Sequence, residues 1–387
     1  MNSKQFETAK MCLKVVTPIN ISDGIVLGAK DYLYDSSRQK VFFLNLHQWH
    51  MFIYKHMLLE KYESYLANFR DKQSLLEWLR MQGYDIDDVR TVITSEAQAT
   101  VNLMDNEKKK TLNDINRHIQ QPDGSLYVPG SSIKGVFRTA ILYSLLQKRQ
   151  DIKVKYWRQI QEKISSNYFK PYRDFNKLIS DLENELLHTL RLVDGDIHSN
   201  NAVYSAMRGL QVSDTYASRN MQTAILQKVD GGFDKFGKAS PKKLPIFREC
   251  MLPKAELFFD VKIEKAVMST IGINTVDDLL KATHSFFAAV TDLLQQAFGK
   301  EYQEAFQGVA AGNMFLGGNT GFLSKTLLAM VAPDKDTAKN NIKVLLDKSF
   351  KTHKHLLRDK IIAPRTLKCT NYNGKLMLMG VAEVRKV

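Results

Sequence analysis

Apolar and polar positions alternate most regularly in "AELFFDVKIE", where Leu257, Phe259, Val261 and Ile263 take one face. Glu256, Asp260, Lys262 and Glu264 lie mostly on the other, and a period of two is that of a strand with one buried face. "MCLKVVTPI" sets Leu13, Val15 and Thr17 against Cys12, Lys14 and Val16; "ISDG" supplies a turn and "KVFFLNL" a second strand pattern. "LRLVDGDI" and "RGLQVSDT" read as extended, and "RTLKCTNYNGKLMLMGVAEVRKV" as a hairpin turning at Asn373-Gly374.

The period changes to a helical one at "HQWHMFIYKHMLLEKYESYLANF", and helical spacing continues to about residue 119. The basic, aromatic stretch 148–190 is mostly helical by the same criterion. "VDDLLKATHSFFAAVTDLLQQAF" places Leu279, Phe286, Val290, Leu293 and Leu294 at intervals of an amphipathic helix, and "LSKTLLAMVA" reads as another. "KVDGGFDKFGKASPKKLP" reads as a loop longer than a plain connection needs. Strands separated by helices, with antiparallel return strands, predict an α+β sandwich elaborated by helical insertions. No repeat of roughly 20–50 residues marks a solenoid.

Charge narrows the function. The 387 residues hold 55 Lys and Arg against 41 Asp and Glu, a net charge of +14 that suits a polyanion, nucleic acid first. Three scattered cysteines, Cys12, Cys250 and Cys369, form no C-x-x-C pair, so neither a disulfide framework nor a zinc site is indicated. No run of about 18 apolar residues predicts a membrane span, and "MNSKQFETAK" is no signal peptide, so a cytoplasmic protein without a membrane partner is expected.

Two stretches suit phosphate. In "VPGSSIKGVFRTAI", Pro129 and Gly130 stop a strand and Ser131 or Ser132 can cap the helix that follows. Free amides at that helix start form an anion site, Lys134 and Arg138 share a side one turn apart, and Gly135 between them admits a close backbone. "GGNTGFLSKT" offers Gly317, Gly318, Gly321 and Lys325, but Ser324 precedes Lys325 where a P-loop demands glycine, so the turn reads as a phosphate contact rather than an NTPase site. In the long loop, Phe233 and Phe236 lie among Lys228, Lys235, Lys238, Lys242 and Lys243, aromatic rings that can stack on bases.

Catalytic constellations are thinner. His47 and His50 stand at i, i+3 without a third ligand, which favours helix packing. Asp31 could be a ribonuclease acid, while Asp214, Asp194 and Asp196 near strand ends are more often turn or cap residues. No cofactor or metal is expected.

In this order, "TPINISDG", "YVPGSSIKGVFRTAI", "LQVSDT", "FRECMLPKAELFFDVKI" and "GGNTGFLSKT" resemble segments of the RAMP proteins of type III-A CRISPR (Csm) effectors. The likeness spans nearly the whole chain and is strongest to the subunit that caps the crRNA 3′ end. It implies a ferredoxin-like (RRM-like) RAMP core over 1–250, with helical insertions near 47–119 and 148–190. It further implies a C-terminal α+β part over 251–387 carrying the glycine-rich loop. It also implies binding of crRNA and of target RNA, assembly with sibling Csm subunits, and crRNA 3′-end maturation in which recruited host nucleases do the trimming. Ser131, Ser132, Lys134 and Arg138 fall on the family's helix-start motif, and Gly317, Gly318, Gly321 and Lys325 on its glycine-rich loop. "AKDYLYD" departs from the pattern around the slicing aspartate of sibling subunits. The expectation is a non-catalytic RNA-binding subunit; the alternative is a metal-dependent endoribonuclease using Asp31 or the His47/His50 pair.

Overall fold

In the computed structural model, which describes residues 5–68, 73–100, 112, 114–166, 168–191, 201–217 and 221–387, the alternating segments assemble into two sheets. The strand Phe6–Val15 lies at the centre of the first, antiparallel to Glu256–Glu264 on one side and Val381–Lys386 on the other. Leu210–Val212 and Tyr216–Ala217 pair with the outer edge of Glu256–Glu264, and Met314–Phe315 with that of Val381–Lys386. Leu257, Phe259, Val261 and Ile263 are fully buried, as their alternation predicts. The helices Gly130–Lys148 and Val276–Phe298 pack on each other and share one core with this sheet through Phe137, Ile141, Phe286 and Val290. The sheet thus draws strands from both sides of residue 250.

The second sheet is organised by Thr223–Gly231. One edge of that strand pairs along its length with Lys242–Met251; the other pairs first with Ile93–Thr100, in parallel, and then with Leu367–Tyr372. Lys40–Leu44 and Tyr32–Asp35 extend the sheet beyond Ile93–Thr100. The helices Leu46–Lys55, Leu59–Ala67 and Leu75–Met81 form a separate core around Trp49, Trp78 and Tyr62 at that end. The sheets meet where Lys242–Met251 passes through a short turn into Glu256–Glu264: Ile19 bridges to Met251 and Val15 N–H donates to Ala255 O.

Four expectations change. The helical stretch gives way at residue 93: Ile93–Thr100 is a strand between Lys40–Leu44 and a parallel partner more than a hundred residues downstream, so distant pairings decide what "ITSEAQAT" becomes, while 101–111 and 113 lie outside the described residues. "KVDGGFDKFGKASPKKLP" is the end of a hairpin: Lys228–Gly231 and Lys242–Pro245 belong to its strands, and the register shifts between Lys243 and Phe247 around Pro245. "LSKTLLAMVA" forms one 3₁₀ turn and the single turn Leu328–Val331, because the helical run lies later, at Lys335–Ser349 behind the Asp334 cap. No serine caps the helix Gly130–Lys148, as described below. The hairpin at Asn373-Gly374 forms as expected, with both residues at positive φ. No helix among the described residues is long and apolar enough to cross a membrane.

Candidate nucleic-acid interface

The glycine-rich turn is held at the junction of the two sheets. After the first strand the chain runs through Thr17 and Asn20, both fully buried. Asn20 Nδ2 donates to Glu249 O at 2.7 Å and its Oδ1 accepts from Arg248 Nη1 at 3.0 Å. The Asn20 carbonyl accepts the Gly318 N–H at 2.7 Å. Gly317 has φ +89, and a Cβ there would overlap that same carbonyl oxygen, so both the conformation and the close approach require glycine. Leu316 N–H donates to Gly380 O at 2.7 Å and Gly380 N–H to Pro18 O at 2.9 Å, which clamps the turn from the other side.

Cations crowd around this clamp. A Cβ on Gly318 would stand 3.0 Å from Arg248 Nη1, and one on Gly321 3.5 Å from Lys368 Cγ. Arg248 Nε is buried without a hydrogen-bond partner. Desolvation, then the Arg248 charge, holds the Lys325 ammonium below its ordinary 10.5, although the side chain reaches solvent. Lys228 is lowered likewise, by desolvation and then by the charges of Lys368 and Arg248, the latter opposed by Asp230. Asp230 pairs with Lys368 at 2.9 Å and Lys228 at 3.7 Å. Glu249 is drawn away from the cluster, taken by Arg117 at 3.5 Å, the His118 N–H and Thr223 Oγ1. Four cations with one paired carboxylate repel each other, and a phosphate placed among them relieves that repulsion while meeting unfilled donors.

The helix-start motif is built differently from the sequence expectation. Pro129 precedes the first helical residue and no serine side chain caps it; the Gly130 N–H instead donates to Asp214 Oδ1 at 2.7 Å. A Cβ on Gly130 would overlap the carbonyls of Val212 and Ser213, so the helix starts in direct contact with the edge strand. An aspartate therefore already occupies part of the dipole end that was expected to be free. Ser131, Gly135 and Arg138 are exposed and Ser132 and Lys134 half-buried; open space faces Gly135. Arg138 is paired with Glu183, and desolvation lowers Lys134. His118 links the two motifs: its Nδ1 accepts the Ile21 N–H at 3.0 Å, beside the glycine clamp, and its Nε2 meets Tyr127 O at 3.2 Å, just before the helix.

At the hairpin tip, Phe233 stacks on Phe298 with 5.3 Å between centroids and belongs to the core, while Phe236 is 76% exposed with Lys235 Nζ 4.9 Å above its ring. The tip is held by Asp234, whose Oδ1 accepts the Phe236 and Lys238 N–H groups. Asp31 Oδ2 accepts the Gly28 N–H at 2.7 Å, closing a turn, and His47 and His50 are exposed on the outer helix. Asp194 and Asp196 lie outside the described residues. Sequence reasoning missed Asn20, Arg248, His118 and Lys368 as parts of this site. "TPIN" and "FREC" carried the first two as motif text without a role, whereas nothing local distinguishes Lys368.

Residues 12–321 match the family model of the RAMP superfamily. The chain is 27% identical over 400 residues to CRISPR system Cms protein Csm5 of Mycobacterium tuberculosis (strain H37Rv), covering 98% of this chain and 97% of the relative. It is 22% identical to the protein of the same name from Enterococcus italicus, over 88% and 85% of the two chains. Among solved structures it is similar to a chain of a Csm–crRNA–target RNA ternary complex of a type III-A CRISPR-Cas system, with TM-score 0.68, 17% identity, and 98% and 100% coverage. It is also similar to T. onnurineus Csm5, with TM-score 0.60, 18% identity, and 96% and 99% coverage.

Proposed function

Because the chain belongs to the RAMP superfamily, we propose that it is a non-catalytic RNA-binding subunit of a type III-A Csm effector complex. In this reading it holds the 3′ part of the crRNA, closes the assembly at that end and is needed for crRNA 3′-end maturation in antiviral defence. The observation that carries it is the glycine turn with Arg248, Lys325, Lys368 and Lys228 around it and, among the described residues, Asp230 as the one carboxylate paired with them. Such a site grips the backbone of any guide sequence, because phosphate contacts position a strand without reading its bases. Lys134 with Arg138, and the Lys235–Phe236 pair at the hairpin tip, supply further contacts along the same RNA. Sibling Csm subunits are its protein partners, target RNA joins by pairing with the guide, and host nucleases trim the exposed 3′ end in the cytoplasm.

The core fits this reading. Val381–Lys386, Phe6–Val15, Glu256–Glu264 and Leu210–Val212 lie side by side and antiparallel, with Gly130–Lys148 and Val276–Phe298 as the two helices. In chain order these run strand, helix, strand, strand, helix, strand, which we read as the ferredoxin-like (RRM-like) core. Asp31, the best candidate for a nuclease acid, has its carboxylate engaged by a turn amide.

Equilibrium binding of single-stranded RNAs of unrelated sequence to the purified chain tests the proposal. Lys325→Ala with Lys368→Ala should weaken all of them alike and reduce the salt slope by about 0.7 for each phosphate no longer neutralised. Asp31→Ala should leave RNA length unchanged on incubation with divalent cations. Unchanged affinity in the double variant, or cleavage that disappears with Asp31, would sink the reading.

A further inference from the structure

Residues 335–368 hold ten Lys and Arg against three Asp, half of the chain's net charge of +14. The three acids are turned to structural use. Asp336 pairs with Lys339 at 2.8 Å, and Asp347 Oδ1 accepts the Leu356 N–H at 3.2 Å. Asp359, with no exposed surface, accepts from His355 Nδ1 at 2.8 Å and Arg365 Nη1 at 2.7 Å. That buried carboxylate ties both ends of the segment 355–365 together. The chain reverses at Lys354, which has φ +52, between the 3₁₀ turn Lys351–His353 and the short helix His355–Arg358.

With these acids already bonded, and Asp359 buried, four cations face out. Lys351, Lys354, Arg358 and Lys360 are exposed, and their side chains have no hydrogen-bond or ion-pair partner among the described residues. Beside them Phe350, 51% exposed, stacks on the exposed His353 ring at 5.5 Å and 15° between planes. From this surface the chain runs on to Thr366 and Lys368, which line a cleft with Gly321, and Ile361, next to Lys360, lines the neighbouring groove with Leu323.

We propose that Phe350, His353, Lys351, Lys354 and Arg358 form a second single-stranded RNA site, a stacking platform ringed by phosphate contacts, which takes up the strand as it leaves the glycine turn. The inference rests on the proposed function for the identity of the polymer. A half-exposed Phe350 stacked on an exposed His353, with unpaired cations in the same segment, is an arrangement that can hold bases without regard to sequence. Leu357, 73% exposed at the rim, makes an acidic protein segment the rival occupant.

The test uses the full chain and two RNAs, one of about 6 nucleotides, enough for the glycine turn alone, and one of about 30. Phe350→Ala should weaken binding of the longer RNA by roughly five- to a hundred-fold and leave the shorter unchanged. Lys351→Ala, Lys354→Ala and Arg358→Ala together should make its salt slope shallower by up to about 2 units. Irradiated 4-thiouridine RNA bound to the unaltered chain should crosslink to the peptide containing Phe350 and His353. Crosslinks confined to the glycine turn, or full affinity for the longer RNA in both variants, would overturn the inference. If Lys325→Ala with Lys368→Ala still weakens both RNAs in that case, the proposed function stands without this site; if it weakens neither, both fall. Retention of RNA with loss of a sibling subunit from the triple variant would assign the surface to a protein and overturn the inference too.

Discussion

His118 has no exposed surface, and both of its ring nitrogens face backbone groups. Its Nδ1 accepts from Ile21, so the ring is neutral with its proton on Nε2, donated to Tyr127 O. Protonation at Nδ1 would break the Ile21 bond inside a dry site, and burial accordingly pushes the imidazole from an ordinary 6.5 to about 4. Between those values the unfolded chain carries a proton that the folded chain refuses. The contribution is therefore fully present above about pH 6.5 and is lost as pH falls towards 4. At about 1.4 kcal/mol per pKa unit, the loss across that window is roughly 3 kcal/mol. Denaturant titrations at a series of pH values should show this slope, and His118→Gln should flatten it. An equally steep slope in the variant would remove His118 as its cause. A buried histidine of this kind leaves little trace in sequence, because its partners are main-chain groups about ten and a hundred residues away.

Elements with a regular local period were legible, and those decided by distant partners were not. Glu256–Glu264 and Val276–Phe298 each present one apolar face to the common core, so their own side-chain spacing identified them. Ile93–Thr100 is alternating but weakly apolar, and it becomes a strand because Lys40–Leu44 on one side and Ala224, Ile225 and Leu226 on the other offer edges. The helix Gly130–Lys148 was legible as a helix, while its cap was not, since the capping group comes from Asp214 more than eighty residues away. Asp214→Ala should cost about 1 kcal/mol of stability through the missing cap. Removing that carboxylate also uncovers the helix dipole end, so RNA affinity should rise or stay level. A fall in affinity without a change in stability would mean that Asp214 serves the RNA rather than the helix.

At the scale of the molecule, the candidate site exists only because two sheets meet. The glycine turn, the Thr17–Asn20 segment, Arg248 and Lys368 come from four separate parts of the chain, and no one of them carries the cluster alone. The sequence therefore announced the glycines and Lys325 through their local pattern, while Arg248 and Lys368 became visible only once the strands were paired. Half of the net charge similarly lies in one segment, yet its acids had to be found bonded to other partners before its remaining lysines read as a surface.

The central claim, that this surface holds a guide RNA within a Csm assembly, is tested most directly by tagged recovery of the chain from cells carrying its native operon, with sequencing of the retained RNA and identification of the retained proteins. The account predicts crRNAs with defined 3′ ends together with sibling Csm subunits, and loss of the RNA when Arg248, Lys325 and Lys368 are replaced by alanine. A chain recovered alone and free of RNA would contradict it.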